Sequence, residues 1–179
     1  PTSLCTCVDL NETKRNSSTL NHDYQLENNI DFLRCKDTFG ADFLSGRGWT
    51  PIGSPYFNGS IDGQGYIIQN LFINNASTAY AGLISGTQNS LTISNIGLVD
   101  VNLRHFQSVG GFFGFSTGSV TIENSFVTGF LSGSSGGVGG LINRQPQQQT
   151  DPVAEPTAEP APQPTVDPVT EQMKASNPN

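Results

Sequence analysis

Asp31, Asp62, Asp100 and Glu123 are acidic side chains that fall within regularly patterned stretches of the sequence. Two such groups about 5–10 Å apart across one glycosidic bond are what sugar hydrolysis requires. The surrounding residues argue against that use. Asp62 precedes Gly63 in an Asp-Gly turn, where a carboxylate accepts from backbone N–H groups. Asp31 alternates outward between Ile30 and Phe32, and Glu123 takes the outward place between Ile122 and Asn124. No acidic pair recurs at one frame position in successive repeats. His22 and His105 stand alone as expected surface residues, with no His-Glu-x-x-His around them. The expectation is no catalytic residue, no cofactor and no metal.

Cys5, Cys7 and Cys35 are crowded toward the N-terminus without a Cys-x-x-Cys or a His cluster, so no zinc ligand set is present. Two residues apart, Cys5 and Cys7 would face one side of an extended strand, and either could pair with Cys35 in an oxidising compartment. Asn11, Asn16, Asn58 and Asn75 open Asn-x-Ser/Thr sequons and are candidate N-glycosylation sites, or ordinary turn asparagines. A formal charge of -7 with only 8 Lys+Arg argues against nucleic acid and anionic membrane surfaces, both of which require clustered cations. No apolar run reaches the roughly 20 residues of a membrane span. Pro1 is not an initiator, so a processed or excised piece is expected.

Chemistry this sparse turns attention to the repeat. Ala81-Gly82-Leu83-Ile84, Gly110-Gly111-Phe112-Phe113 and Gly139-Gly140-Leu141-Ile142 recur every 29 residues. Ahead of each runs an Ile-x-Asn frame, beginning at Ile68, Ile93 and Ile122, with spacings of 25 and 29. Strands this short cannot bury an apolar face alone, so successive repeats must stack about 4.8 Å apart with equivalent side chains in ranks. On the simplest alignment Ile68, Ile93 and Ile122 form one rank. Ile73, Leu98 and Val127 form a second, and Leu83, Phe112 and Leu141 a third. Asn70, Asn95 and Asn124 form a fourth, tolerating left-handed turns and bonding one another through their amides. The Gly pairs mark turns or close backbone approach.

Before the repeats come Tyr24-Gln25-Leu26-Glu27-Asn28-Asn29-Ile30-Asp31-Phe32, then Trp49-Thr50-Pro51-Ile52-Gly53, then Phe57-Asn58-Gly59-Ser60-Ile61-Asp62-Gly63-Gln64-Gly65-Tyr66. In these segments and their order, residues 24 to 142 resemble the GLUG-type β-solenoid repeats of bacterial surface proteins. The Gly-Leu-aliphatic-Gly element of that family reads here Gly82-Leu83-Ile84-Ser85, Gly111-Phe112-Phe113-Gly114 and Gly140-Leu141-Ile142-Asn143. Leu33 to Gly48, which carries Cys35, is longer than the family pattern. The resemblance implies an extracellular or cell-surface place, within adhesins, filamentous-haemagglutinin-like proteins or non-catalytic parts of IgA-cleaving metallopeptidases. It implies no reaction.

From Gln145 the chain loses most large apolar residues and holds 8 of its 11 prolines, so a disordered, extended acidic tail is expected. The sequence thus predicts an all-β protein: an N-terminal cap over 1–23, a short β-solenoid of about three to four rungs over 24–144, and a Pro/Glu-rich tail over 145–179. The expected role is a non-enzymatic secreted or cell-surface structural or adhesion module. It would meet a protein or glycan partner, or associate with itself through the solenoid ends. The alternatives are a carbohydrate-binding or carbohydrate-active β-helix protein using Asp62, Asp100 or Glu123, and a viral fibre or attachment module.

Overall fold

The structure, a computed structural model, describes residues 1–144 except 14, 15, 17, 36, 40–42, 44, 54, 55 and 76–79. The tail expected over 145–179 lies outside the described residues. Strands dominate, and every pairing between named strands is parallel. Short β-branched and aromatic stretches separated by Gly, Asn and Ser favour such strands over helices.

Four sheets account for them. The first runs β1 (Thr2–Leu4), β2 (Tyr24–Leu26), β4 (Ile61–Asp62), β9 (Leu91–Ser94) and β13 (Val120–Glu123). The second joins β3 (Ile30–Asp31), β5 (Ile67–Gln69), β10 (Gly97–His105) and β14 (Phe126–Gly133), with β6 (Phe72–Asn74) also on β10. The third holds β7 (Tyr80–Ala81), β11 (Ser108–Gly110) and β15 (Val138–Gly139), and the fourth β8 (Ile84–Thr87), β12 (Phe113–Ser116) and β16 (Ile142–Arg144). From β9 onward the chain visits the sheets in this order twice, so each residue pairs with one about a circuit later in sequence. Val109 pairs with Val138, and Phe113 with Ile84 and Ile142.

This register corrects three of the expected ranks. Ile93 is aligned with Ile122 and, on its other side, with Ile61. Ile68 is aligned with Ile30 and Leu98, and Leu98 with Val127. Ile73 faces Leu103, not Leu98. The cause is that the frame of an aliphatic, one residue, then Asn, Asp or Gly occurs at two corners of each circuit. Ile61-Asp62-Gly63, Ile93-Ser94-Asn95 and Ile122-Glu123-Asn124 make one corner. Ile68-Gln69-Asn70 and Leu98-Val99-Asp100 make the other. The 25-residue spacing joined one corner to the other.

Where the third residue is Asn or Asp it turns left-handed: φ is 59° at Asn70, 53° at Asn95, 53° at Asp100 and 46° at Asn124, whereas in the Ile61-Asp62-Gly63 circuit the left-handed residue is Gln64, at φ 52°. Asn and Asp bear that conformation at least cost among residues with a side chain. β14 has one residue fewer than β10 beyond this corner, and Gly129 takes φ 126° there.

Aliphatics at these aligned positions make the core. Ile61, Ile68, Ile73, Leu83, Ile84, Ile93, Leu98, Leu103, Phe112 and Phe113 are at most 1% exposed, and each such side chain stabilises by roughly 1.5–3 kcal/mol. Leu83 and Phe112 are interior, whereas Leu141, their counterpart in the outermost circuit, is 38% exposed. A β-carbon on Gly111 would lie 2.5 Å from Val127 Cγ2 and 2.7 Å from the Gly140 carbonyl oxygen, which accounts for Gly111 by close approach, whereas one on Gly140 would meet nothing within 4 Å.

The N-terminal end is built differently. β1 extends the first sheet beyond β2, and helix α1 (Cys7–Glu12) follows, with Thr6 and Asp9 forming a capping box. Leu4 and Leu10 enter the common core. The long segment after Phe32 begins as a short helix, α2 (Phe32–Cys35), and brings Phe39 within 4.7 Å of the Phe32 ring and 4.8 Å of the Trp49 ring. Trp49 is fully buried and its indole Nε1 donates to the Leu83 carbonyl at 3.0 Å. Gly48 turns with φ 80°, and a β-carbon there would come within 2.1 Å of the Phe72 carbonyl oxygen.

Candidate functional site

The acidic residues are held by the corners. Asp62 ends β4, so its carboxylate meets the amide of Asn95 one circuit on: Asn95 Nδ2 donates to Asp62 Oδ1 at 3.0 Å. The Gln64 backbone N–H donates to the same oxygen at 3.0 Å, the turn-capping use expected from sequence. Asn124 Nδ2 in turn donates to Asn95 Oδ1 at 3.1 Å. At the second corner Asn70 Nδ2 donates to Asp31 Oδ1 at 2.8 Å, so Asn70 lies outside the rank of Asn95 and Asn124.

These bonds set the electrostatics. The Asn95 amide, then the Gln64 backbone N–H, hold the Asp62 carboxyl below its ordinary range. The Asn70 amide does the same for Asp31. A general acid needs the opposite shift, produced by burial or a like charge. Asp62 and Glu123 do fall in one rank, two strands apart with Ser94 between them, through the pairings of β4 and β13 with β9. Asp62 in that pair is kept ionised by its donors. Asp100 is exposed at the second corner, where its N–H donates to Thr128 Oγ1 at 3.1 Å.

Cys7 pairs with Cys35, with Cα atoms 5.4 Å apart. The expected extended strand through Cys5 and Cys7 does not form, because the chain turns helical at Cys7 after the Thr6 cap. Cys5 is the free thiol, its Sγ 3.1 Å from Glu27 Oε2, and this hydrogen bond pushes the thiol pKa up. Cys5 is therefore held protonated and is a poor nucleophile. A concavity of about 310 Å³ beside it is lined by residues including Asp31 and Arg34, themselves paired at 3.9 Å.

The sequons differ in access. Asn16 is exposed and Asn11 half-buried on α1. Asn75 is only 6% exposed. Asn58 is engaged in an amide rank absent from the sequence expectations. It donates through Nδ2 to Asn21 Oδ1 at 3.0 Å and accepts from Asn89 Nδ2 at 2.9 Å.

His105, expected at the surface, is 7% exposed and its Nδ1 accepts from the Gln107 N–H at 2.9 Å. It lines a lateral groove of about 210 Å³ with Asn74, Asn75, Arg104, Phe106, Ser132 and Ser134. Asn74, Arg104 and Ser132 are in register there across three strands. Sequence reasoning missed this groove; its one signal was the adjacent Arg104-His105-Phe106, which joins a cation and aromatics in a chain with only 8 Lys+Arg. No group of His, Cys, Asp and Glu suited to a metal ion occurs among the described residues. No helix among them is long and apolar enough to cross a membrane.

Compared with known proteins, the chain is similar to halomucin of Haloquadratum walsbyi (strain DSM 16790 / HBSQ001), at 34% identity over 129 residues. The alignment covers 72% of this chain and 1% of halomucin, so the chain spans about a hundredth of that relative's length. No protein-family model matches the chain. No solved structure matches it.

Proposed function

We propose that this chain is a non-enzymatic structural module of an extracellular or cell-surface protein, built as a short β-solenoid of the GLUG type. The observation that carries the reading is the parallel register, with Ile61, Ile93 and Ile122 in one rank and Ile30, Ile68, Leu98 and Val127 in another. That is how a stacked-rung scaffold buries its core. The Cys7–Cys35 bridge suits an oxidising compartment. Similarity to a segment of a very long protein named halomucin suits a module in a larger surface assembly.

Two measurements test the two parts. Thr92 and Thr121 are aligned on neighbouring strands, so the double variant Thr92→Cys/Thr121→Cys, made in a Cys5→Ser background, is expected to form a disulfide on mild oxidation. Its failure, with the single variants folded, would remove the solenoid register. For location, antibodies raised against the folded chain are expected to label intact, unpermeabilised cells of the producing organism. Labelling only after permeabilisation would remove the surface reading.

A further inference from the structure

In the lateral groove on β10 a charged side chain is positioned but not neutralised by any described residue. Arg104 Nε donates to Asn102 Oδ1 at 3.3 Å, and its guanidinium carbon lies 5.1 Å from the centre of the Phe130 ring. These two contacts hold the fork in place. Arg34, by contrast, faces Asp31, while Arg104 has no carboxylate partner among the described residues. None of the described residues lining its groove is acidic, in a chain whose formal charge is -7. Phe106 stands at the groove's turn with 57% of its surface exposed. Asn74 and Ser132, in register on either side of Arg104, present side chains with no protein partner among the described residues.

We propose that this groove binds a carboxylate-bearing sugar residue of an acidic glycan, with Arg104 holding the carboxylate, Phe106 packing on the ring face, and Asn74 and Ser132 bonding hydroxyls. A planar guanidinium matches a planar carboxylate with two parallel hydrogen bonds. One cation balances one such charge, whereas nucleic acid or a densely sulfated chain would call for several. An exposed aromatic ring offers the apolar contact that a sugar's C–H face takes, and uncommitted amide and hydroxyl groups offer bonds for its O–H groups. The small, open volume suits one residue of a glycan, not a whole enclosed ligand. This names a ligand for the surface module proposed above. It is tested in solution by binding alone, so its outcome is independent of where the module resides.

The test is an amide-resolved NMR titration of the full chain with oligomers of galacturonate, glucuronate and mannuronate, beside neutral oligomers of the corresponding hexoses and a sulfated galactan. The expected result is shifts confined to 72–75, 102–107 and 130–134, with at least one uronate oligomer bound tenfold or more tightly than its neutral counterpart. Arg104→Gln should bring that affinity down to the neutral level, Arg104→Lys should lose less, and Phe106→Ala should weaken acidic and neutral oligomers alike. The spectra of the variants themselves report that each is folded. Absence of shifts with every uronate, shifts elsewhere, or an unchanged affinity in a folded Arg104→Gln chain would overturn the assignment. Equal binding of the sulfated galactan would also overturn it, because the groove would then read charge alone.

Discussion

Asp31 and Asp62 are acids that the fold employs as acceptors, and this gives stability a predictable dependence on pH. The amides of Asn70 and Asn95 are the leading cause that lowers each carboxyl; Asp23 is lowered chiefly by Ser60 and Glu27 chiefly by Ser3. A carboxyl whose folded pKa lies below its unfolded value, about 3.9 for Asp, contributes stability that is complete above that value and is lost as pH falls through the folded one. The melting temperature should therefore change little between pH 7 and about 5 on account of these groups, then fall below about 4. Asp62→Asn keeps an acceptor for Asn95 but not the ion, so it should melt lower at pH 7 and show a shallower acid limb. An unaltered limb in that variant would remove Asp62 from the account. Fluorescence-detected melts across the pH range decide it. At this scale the sequence was informative about residue type: Asp-Gly reads as a turn carboxylate, and Asn as a left-handed residue. It was silent about partners, since Asp62 meets Asn95 only after a whole circuit of chain has been laid down.

The corner is the element that repeats, and its frame was legible while its place was not. Ile-x-Asn encodes a strand ending in a left-handed residue, a local conformation that the sequence specifies well. Which corner it makes depends on the residue one circuit away, and the two corners are chemically alike. Ile68 and Ile93 thus looked equivalent although β5 and β9 belong to different sheets. The Gly-aliphatic element occurs once per circuit and has no such twin, so its 29-residue interval coincides with the true register of Ile84, Phe113 and Ile142. The corner makes two separable contributions, which Asn95 can apportion. Asn95→Gly retains access to φ 53° and loses the amide bonds to Asp62 and Asn124, each worth about 0.5–1.5 kcal/mol, or more where a carboxylate is the acceptor. Asn95→Ala loses the same bonds and adds a left-handed penalty of roughly 1–2 kcal/mol. Denaturant melts should rank native above Gly above Ala. Equal losses for Gly and Ala would mean that the backbone strain at the corner is negligible.

The whole molecule is asymmetric along its stack, and this sets where it opens first. At the N-terminal end the strands are backed by α1, the Phe32–Phe39–Trp49 cluster and the Cys7–Cys35 bridge. In the outermost circuit Phe126 is 50%, Phe130 52% and Val138 50% exposed, and among the described residues β13 to β16 are paired on one side only. That asymmetry was only half legible. The cysteines flagged the N-terminal end, but the aromatic cluster is assembled from Phe32, Phe39 and Trp49, whose intervals follow no periodicity. Where each circuit is held by its neighbours, stability varies along the stack, and amide exchange reports it locally. Exchange should be slowest in β9, β10 and β12, which have neighbours on both sides, and fastest in β13 to β16. Removing the bridge, which closes a sequence separation of 28, should cost about 3–4 kcal/mol. Cys35→Ala, which also prevents Cys5 from substituting, should speed exchange in β1 and β2 while leaving β14 to β16 as they were. Uniform acceleration along the chain would show instead that the stack opens as one unit. Outer strands as slow as β10 in the native chain would show that their edge is covered, with loss of protection on dilution marking a second copy as the cover.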